Sequence, residues 1–406
     1  MAARATGSTA ARPRLLILTP DYPPAPGGIQ LVSERLAAGI ERLQTRVLTL
    51  QAPGGAEFDG ARSGAVHRVS AARLPHAGRL AVLNASAVGE ALRFRPHVTL
   101  SMHIVVSPAA VAIKRALGVP FVQYFHAEEI GARPRLAAFA ALQASEGIAV
   151  SAYTAGLVRA TGAAEAALTV IPNGVEVPVA PPPPPSPEGE GEPTPAPEDR
   201  PTFVTVARIQ ERYKGHDVLV RALALVRAKV PRVQWVVIGE GSLRPGIEAQ
   251  ARSYGVASAA RFLGTVSDER RDAWLRRADL LAMPSRLPAG GFAGEGFGIV
   301  YLEAGAHGKP VVAGNVGGAL DAVLDGVTGM LVDPLDELAV GEAIAALLLD
   351  PVCARRLGAA GRVRAQEHAW PLIVERVQEL LLAQLAPPGH GQEGGHGEPG
   401  AARDAA

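Results

Sequence analysis

Two carboxylates, Glu295 and Glu303, stand with seven residues between them at the end of a glycine-rich stretch, Gly290-Gly291-Phe292-Ala293-Gly294-Glu295-Gly296-Phe297-Gly298. The pattern predicts a loop running into a short helix over 299–307, closed by Gly308. Glycines let a backbone approach a ligand closely, and the first amides of a helix have no partner within it. A junction of this kind, with Phe297, Gly298, Ile299 and Val300 at its mouth, suits an anion, most often a phosphate. Glu303 lies one turn beyond Ile299 and can share the face that holds the anion. A carboxylate beside a phosphate would repel it, so the two acids fit better as acceptors for sugar hydroxyls. Phosphate on amides and hydroxyls on carboxylates together suggest a nucleotide-sugar. The plainer alternative is one surface loop and one solvated helical glutamate.

Other residues offer matching chemistry. Arg208 follows an apolar run at 203–206, and Lys214 lies in the adjoining loop. Two cations past a strand and ahead of a helix can neutralise a diphosphate, the arginine as a planar fork of donors and the lysine as a mobile point charge. Solvated surface cations are the commoner fate of both types. Gly27-Gly28 after the first apolar run makes a second anion cradle, without the spacing of a dinucleotide fingerprint. Gly239-Glu240-Gly241, Gly264 and the glycines at 314, 317 and 318 end further strands. Each of these could be a plain turn, and together they make a glycine-lined rim. His103, His126 and Asn173 each follow an expected strand, which puts three polar groups on one rim. A lone histidine there is more often a satisfied polar residue than a catalytic group. Ser151 reads as a helix N-cap.

The elements that must position these residues follow an α/β rhythm. In the first half, strands are expected at 15–19, 46–50, 98–101, 121–124, 147–150 and 169–171. Helices are expected at 29–43, 80–93, 108–117, 134–144 and 153–160. A proline-rich stretch with acids and glycines, 178–200, cannot bury a core and reads as an extended linker. The rhythm then restarts, with strands at 203–206, 233–238, 261–263, 279–282, 310–313 and 330–332. Helices alternate with these strands, at 216–229, 243–254, 268–277, 299–307, 336–349 and 351–368. A last amphipathic helix is expected from Trp370 to about 385, and the Gly/His/Glu-rich tail 387–406 reads as disordered. The domains implied are 1–177, joined by the helix at 370–386, and 201–369.

Composition excludes several classes. The 406 residues carry a net charge of +1, which gives no global field for nucleic acid. The first 180 residues carry 17 Lys and Arg against 11 Asp and Glu, a lean toward anionic surfaces. Cys353 is the only cysteine, so there is no internal disulfide or cysteine metal cluster, and the histidines lack ligand-like clustering. No metal site is expected. No apolar run approaches the length of a membrane span, and the start of the chain lacks a signal-peptide core. A cytoplasmic location follows, at the inner face of the plasma membrane if the acceptor is a lipid. Arginines and histidines between Arg62 and Arg95 are candidates for contact with anionic lipid.

Taken in combination, the motifs resemble family-4 glycosyltransferases of the GT-B fold over nearly the whole chain, 14–385. The residues that carry the resemblance are Gly27-Gly28-Ile29-Gln30, Val170-Ile171-Pro172-Asn173-Gly174-Val175, Arg208 with Lys214-Gly215, Ile238-Gly239-Glu240-Gly241, Phe262-Leu263-Gly264 and the pair Glu295 and Glu303. Asp21-Tyr22-Pro23-Pro24 is similar to the bacterial phosphatidylinositol-mannoside mannosyltransferases. The resemblance implies two Rossmann-like domains facing across a cleft, with the last helix crossing back to the first. It implies transfer of a hexose, with mannose from GDP-mannose as the nearest case, to a lipid, polyol or glycan acceptor. Retention of configuration, no cofactor beyond the nucleotide-sugar co-substrate and no bound metal come with it. Glu303 would hold the ribose, and Glu295 with the Phe297 and Gly298 backbone would hold the sugar. Arg208 and Lys214 would neutralise the pyrophosphate, helped by the Gly27 and Gly28 amides, and His126 would meet the hexose. Gly239, Ile299 and Val300 complete the donor-binding set. Gly317-Gly318-Ala319-Leu320-Asp321 departs from the usual G-G-x-P-E segment, and the 178–200 stretch is longer than the usual connection. Two other readings remain at this stage, a non-catalytic nucleotide-sugar-binding protein and a sugar-nucleotide epimerase.

Overall fold

The computed structural model describes residues 11–60, 65–178, 200–288 and 294–386. Residues 1–10, 61–64 with Arg62, the proline-rich residues 179–199, residues 289–293 with the start of the glycine loop, and the 387–406 tail lie outside them.

The first sheet is built from β1 (Arg14–Leu18), β2 (Gln44–Leu50), β3 (Ala65–Val69), β4 (Val98–Ser101), β5 (Phe121–Phe125), β6 (Glu146–Ala149) and β7 (Leu168–Val170). Between them run α1 (Gly28–Gly39), α2 (Gly55–Gly60), α3 (His76–Phe94), α4 (Ser107–Leu117), α5 (Ala127–Ala132), α6 (Pro134–Gln143) and α7 (Ala152–Ala160). The second sheet is built from β8 (Thr202–Val206), β9 (Gln234–Ile238), β10 (Ala260–Gly264), β11 (Leu280–Met283), β12 (Val311–Gly314) and β13 (Gly329–Val332). Its helices are α8 (His216–Lys229), α9 (Arg244–Ser253), α10 (Asp268–Arg277), α11 (Ile299–Ala306), α12 (Ala319–Ala322), α13 (Glu337–Leu349), α14 (Pro351–Glu367) and α15 (Trp370–Ala383).

The strand orders are β3-β2-β1-β4-β5-β6-β7 and β10-β9-β8-β11-β12-β13, and the paired strands run parallel. Central strands are buried on both faces, which is why they read as continuous apolar runs: all five residues of β5 and all four of β4 and β11 are buried. In each sheet the chain reverses its direction of travel beside the first strand, between β1 and β4 and between β8 and β11. Ligands of open parallel sheets bind outside the carboxyl ends of strands at such a reversal. The loops after β1, β4, β8 and β11 carry Gly27-Gly28, His103, Arg208 with Lys214, and the 295–298 stretch. Topology alone thus gathers the candidate residues at two crevices.

The last helix crosses back as expected. Gln378 Oε1 on α15 accepts the Arg42 backbone N–H at 2.8 Å, just past α1. Arg42 also pairs with Glu375 at 2.9 Å and with Glu379. Val374 packs where a side chain at Gly39 would stand. The crossing is pinned at its root, where Val175 N–H donates to the His368 carbonyl at 2.9 Å.

Four elements escape the sequence reading: α2, β3, α5 and α12. β3 is an edge strand with no fully buried position, so its Val66, His67 and Arg68 never form an apolar run. It corrects one expectation directly. Within the segment proposed to meet lipid, the Arg68 side chain is 5% exposed and pairs with Asp59 at 2.7 Å, which removes it from any surface. His67 and Arg93 lie on the Glu90 carboxylate.

Candidate active site

The 295–298 loop owes its path to tight packing. Gly298 sits at φ 87°, a backbone conformation that disfavours any side chain, and caps α11. A Cβ there would strike the Tyr301 ring, which is buried and anchored by its hydroxyl, donating to the Met283 carbonyl at 2.8 Å. Gly318 N–H donates to the Glu295 carbonyl at 2.8 Å, so the 317–318 turn supports the loop from behind. The Phe297 side chain is 2% exposed and stacks on His368. It anchors the loop.

This loop reaches the first sheet's rim. A Cβ on Gly296 would lie 3.2 Å from the Ala127 Cβ, so the glycine passes against the residue after His126. Ser151 Oγ donates to the Gly296 carbonyl at 2.6 Å, and Asp321 Oδ1 accepts the Ala152 N–H at 2.9 Å. Ser151 is therefore the expected N-cap of α7, accepting from Thr154 N–H, and also a bridge between the two halves.

The charged groups follow. Lys214 Nζ lies 2.7 Å from Glu295 Oε2, with both side chains largely buried. Burial works to lower the lysine pKa, but the Glu295 charge and hydrogen bond outweigh it and hold the ammonium above its ordinary value. Arg208 is exposed and reaches Glu211 at 3.1 Å and, across the cleft, Glu128 at 3.5 Å. His126 is buried and its imidazole stacks on Tyr124 with centroids 5.2 Å apart. Burial above all pushes its pKa down to about 4, so it is neutral at pH 7, and its Nε2 has no hydrogen-bond partner.

His126, Arg208, Lys214 and Glu295 thus meet at one junction. Other expected residues stand at neighbouring strand ends with partners of their own. Gly239 N–H donates to the Gly264 carbonyl at 2.9 Å, and the turn packs on the Ala207 carbonyl beside Arg208. Glu303 lies 3.5 Å from Arg271 of α10; burial raises its pKa, and the Arg271 charge only partly offsets that. Val300 is buried and Ile299 half-buried on the first turn of α11. Gly27 and Gly28 open α1 at the end of β1. Asn173 is buried, its side-chain oxygen unpartnered. Sequence reasoning passed over Glu128, Glu129, Arg271 and the bridging role of Asp321. Only Glu129, three residues after an N-cap position, left a local signal. Among the described residues, no three His, Cys, Asp or Glu side chains are grouped to hold a metal ion.

Two Rossmann-like halves meeting at their strand ends, with Arg208, Lys214, Glu128, Glu211 and Glu295 around the junction, have the architecture of a GT-B glycosyltransferase. Residues 26–178 match the family model Glycosyltransferase Family 4, and residues 190–364 match Glycosyl transferases group 1. The chain belongs to this family of glycosyltransferases. It is 35% identical over 383 residues to the GDP-mannose-dependent alpha-(1-6)-phosphatidylinositol monomannoside mannosyltransferase of Mycolicibacterium smegmatis, covering 90% of this chain and 98% of that protein. The Mycobacterium tuberculosis protein of the same name is 32% identical over 388 residues, covering 91% and 98%. Among solved structures it resembles Anabaena HepE in complex with UDP (TM-score 0.73, 22% identity, 91% of this chain and 100% of that one). Sucrose-phosphate synthase from Thermosynechococcus elongatus gives a TM-score of 0.75 at 20% identity, covering 92% and 99%. No helix among the described residues is long and apolar enough to cross a membrane.

Proposed function

We propose that this glycosyltransferase moves mannose from GDP-mannose to a phosphatidylinositol-based glycolipid, with retention of anomeric configuration and without a bound metal or other cofactor. The donor and acceptor classes are those in the names of the mycobacterial relatives. The observation that carries the chemistry is the seating of Gly296 against Ala127. It brings the Lys214–Glu295 pair and Arg208 to the side of the cleft where His126 stands.

In this reading Lys214 and Arg208 neutralise the diphosphate, with the Gly27 and Gly28 amides facing it from the other half. Glu295 and the Phe297 and Gly298 backbone take hydroxyls of the hexose, Gly239, Ile299 and Val300 flank the donor, and Glu303 takes the ribose hydroxyls. The bond from the anomeric carbon to the β-phosphate oxygen breaks as the acceptor oxygen bonds to that carbon on the same face. The acceptor proton passes to the departing phosphate oxygen. Charge grows on the diphosphate as the bond breaks, so fixed cations there stabilise the transition state more than the ground state. His126, neutral and with a free ring nitrogen, meets the hexose at the reacting centre.

A lipid acceptor places the protein against an anionic membrane as a peripheral partner, on the cytoplasmic side. Arg73, Leu74 and His76, exposed just beyond the carboxyl end of β3, fit that contact. The test is transfer from labelled GDP-mannose to phosphatidylinositol mannosides in detergent and in vesicles, with UDP-glucose as rival donor and NMR of the product linkage. An α-linked mannose formed equally with and without chelator is expected. A β-linkage, strict metal dependence or exclusive use of UDP-glucose would overturn the corresponding part.

A further inference from the structure

Behind His126 lies a buried cluster that the proposed chemistry does not use. Glu129, on the short helix α5, is 4% exposed. Its Oε1 accepts the His126 backbone N–H at 3.1 Å. Its Oε2 accepts the Ile104 N–H at 2.8 Å and lies 2.8 Å from His103 Nδ1. One carboxylate therefore ties the chain after β5 to the chain after β4, and these two strands are sheet neighbours. The segment it holds, 103–104, directly follows Met102, whose backbone faces the His126 imidazole. Glu129 thus fixes both the backbone of His126 and the chain that its ring leans on.

We propose that Glu129, held by His103, is a positioning residue that sets the His126 imidazole at the reacting centre. The inference rests on the reading of His126 given above. A buried carboxylate is a poor way to gain stability alone, because desolvation offsets most of its attraction to a partner. It does fix geometry, since each of its bonds has a direction and none can be given up cheaply. The charges around the cluster suit the task. Glu129 faces His103 and His126, and His103 also faces Asp21 and Arg133. Burial tends to raise the Glu129 pKa, but His103 and the Ile104 amide outweigh it and keep the carboxylate ionised. Burial tends to lower the His103 pKa, and Glu129 more than restores it. Glu129 attracts a proton toward His126 while burial and His103 oppose it, so that ring stays neutral beside a fixed anion.

The test compares Glu129→Gln, His103→Gln and His126→Ala in the full chain. It measures kcat, KM and Kd for GDP-mannose, together with NMR titration of the His126 ring in histidine-labelled protein. The glutamine retains one acceptor but loses the charge, and His103→Gln keeps a donor toward Glu129 should Glu129→Gln fail to fold. A positioning role predicts kcat lower by about 10–100-fold for Glu129→Gln, the scale of a misplaced catalytic contact. Donor Kd should stay within about threefold, and the His126 ring signal should shift in both glutamine variants. A folded Glu129→Gln with wild-type kcat and an unmoved His126 signal overturns the inference. Equal losses in kcat and Kd with that signal unmoved overturn it too, since they mark general structural damage. His126→Ala separates the two levels. If it keeps wild-type kcat, the assignment of His126 falls and the inference with it. If it loses turnover while Glu129→Gln does not, only the inference falls.

Discussion

Removing the Lys214 charge tests stability and chemistry at one atom. At 2.7 Å, with an effective dielectric constant near 20, the Lys214–Glu295 attraction is about 6 kcal/mol before desolvation is counted. Lys214→Met keeps the aliphatic stem and leaves Glu295, with a side chain 12% exposed, without its counter-ion. Breaking a fully buried pair from one side costs about 3–5 kcal/mol, and the small opening to water should reduce that to about 2–4. For a chain with domains of this size the loss is about 5–12 °C in Tm. Adding Glu295→Gln removes the stranded charge and should return stability to within about 1 kcal/mol of the wild type. Turnover should behave differently. A lost preorganised contact to the leaving group costs about 2–4 kcal/mol in the transition state, and the second substitution cannot restore a cation to the diphosphate. Calorimetry and steady-state transfer on both single variants and the double variant decide the matter. If Lys214→Met is as stable as wild type, the pair is not electrostatically compensated. If the double variant regains turnover, Lys214 serves only as a counter-ion to Glu295 and its proposed role on the diphosphate is refuted.

Other expectations rest on separate features. Gly298→Ala forces a side chain into the αL region and against the buried Tyr301 ring, and should cost about 2–4 kcal/mol in chemical denaturation together with donor affinity. Ser151→Ala removes the 2.6 Å bond to the Gly296 carbonyl and should raise donor KM about fivefold with a small change in Tm, measured by titration and melting. Acid should destabilise the fold through His126 and His216, both pushed down to about 4, chiefly by burial. The unfolded imidazoles take protons below about pH 6.5 while the native ones stay neutral until about pH 4. Stability present above pH 6.5 is therefore lost across that interval, by about 3 kcal/mol for each ring, and His216→Gln should flatten the slope in denaturation series at several pH values.

The parts that were legible in the sequence share a physical cause. β4, β5 and β11 are buried on both faces, so burial wrote continuous apolar runs that period and length can find. β3 lies at an edge, and α5 spans six residues with two acids and a glycine, so neither carries enough apolar pattern to be seen. The site residues were legible one at a time, because a strand end, a glycine loop and a helix start are local features. Their partners were not. Lys214 and Glu295 are 81 positions apart, and nothing near either residue says that the Lys214 ammonium donates to the Glu295 carboxylate at 2.7 Å. Glu303 read as a free acceptor, yet it faces Arg271, whose side chain reaches it only through the packing of α10 beside α11.

Those partners change how donor binding must work if Arg208, Lys214 and Glu295 have the roles proposed above. Arg208 and Lys214 are already balanced by Glu128, Glu211 and Glu295. A diphosphate can take the cations only if those carboxylates find other donors, since adding anions to an acid-rich cluster is otherwise unfavourable. The sugar can supply such donors to Glu295 through its hydroxyls, as the diphosphate takes over Lys214. Glu128, on the opposite half of the cleft, is released from Arg208 by the same exchange and is screened by water at its exposed position. Each half of the donor thus makes room for the other. The hexose compensates the acid that the phosphate displaces, and the phosphate compensates the lysine that the hexose displaces. A ligand carrying only one of the two leaves a partly buried charge unpaired, so under the proposed roles the site should bind a sugar joined to a diphosphate better than either piece alone.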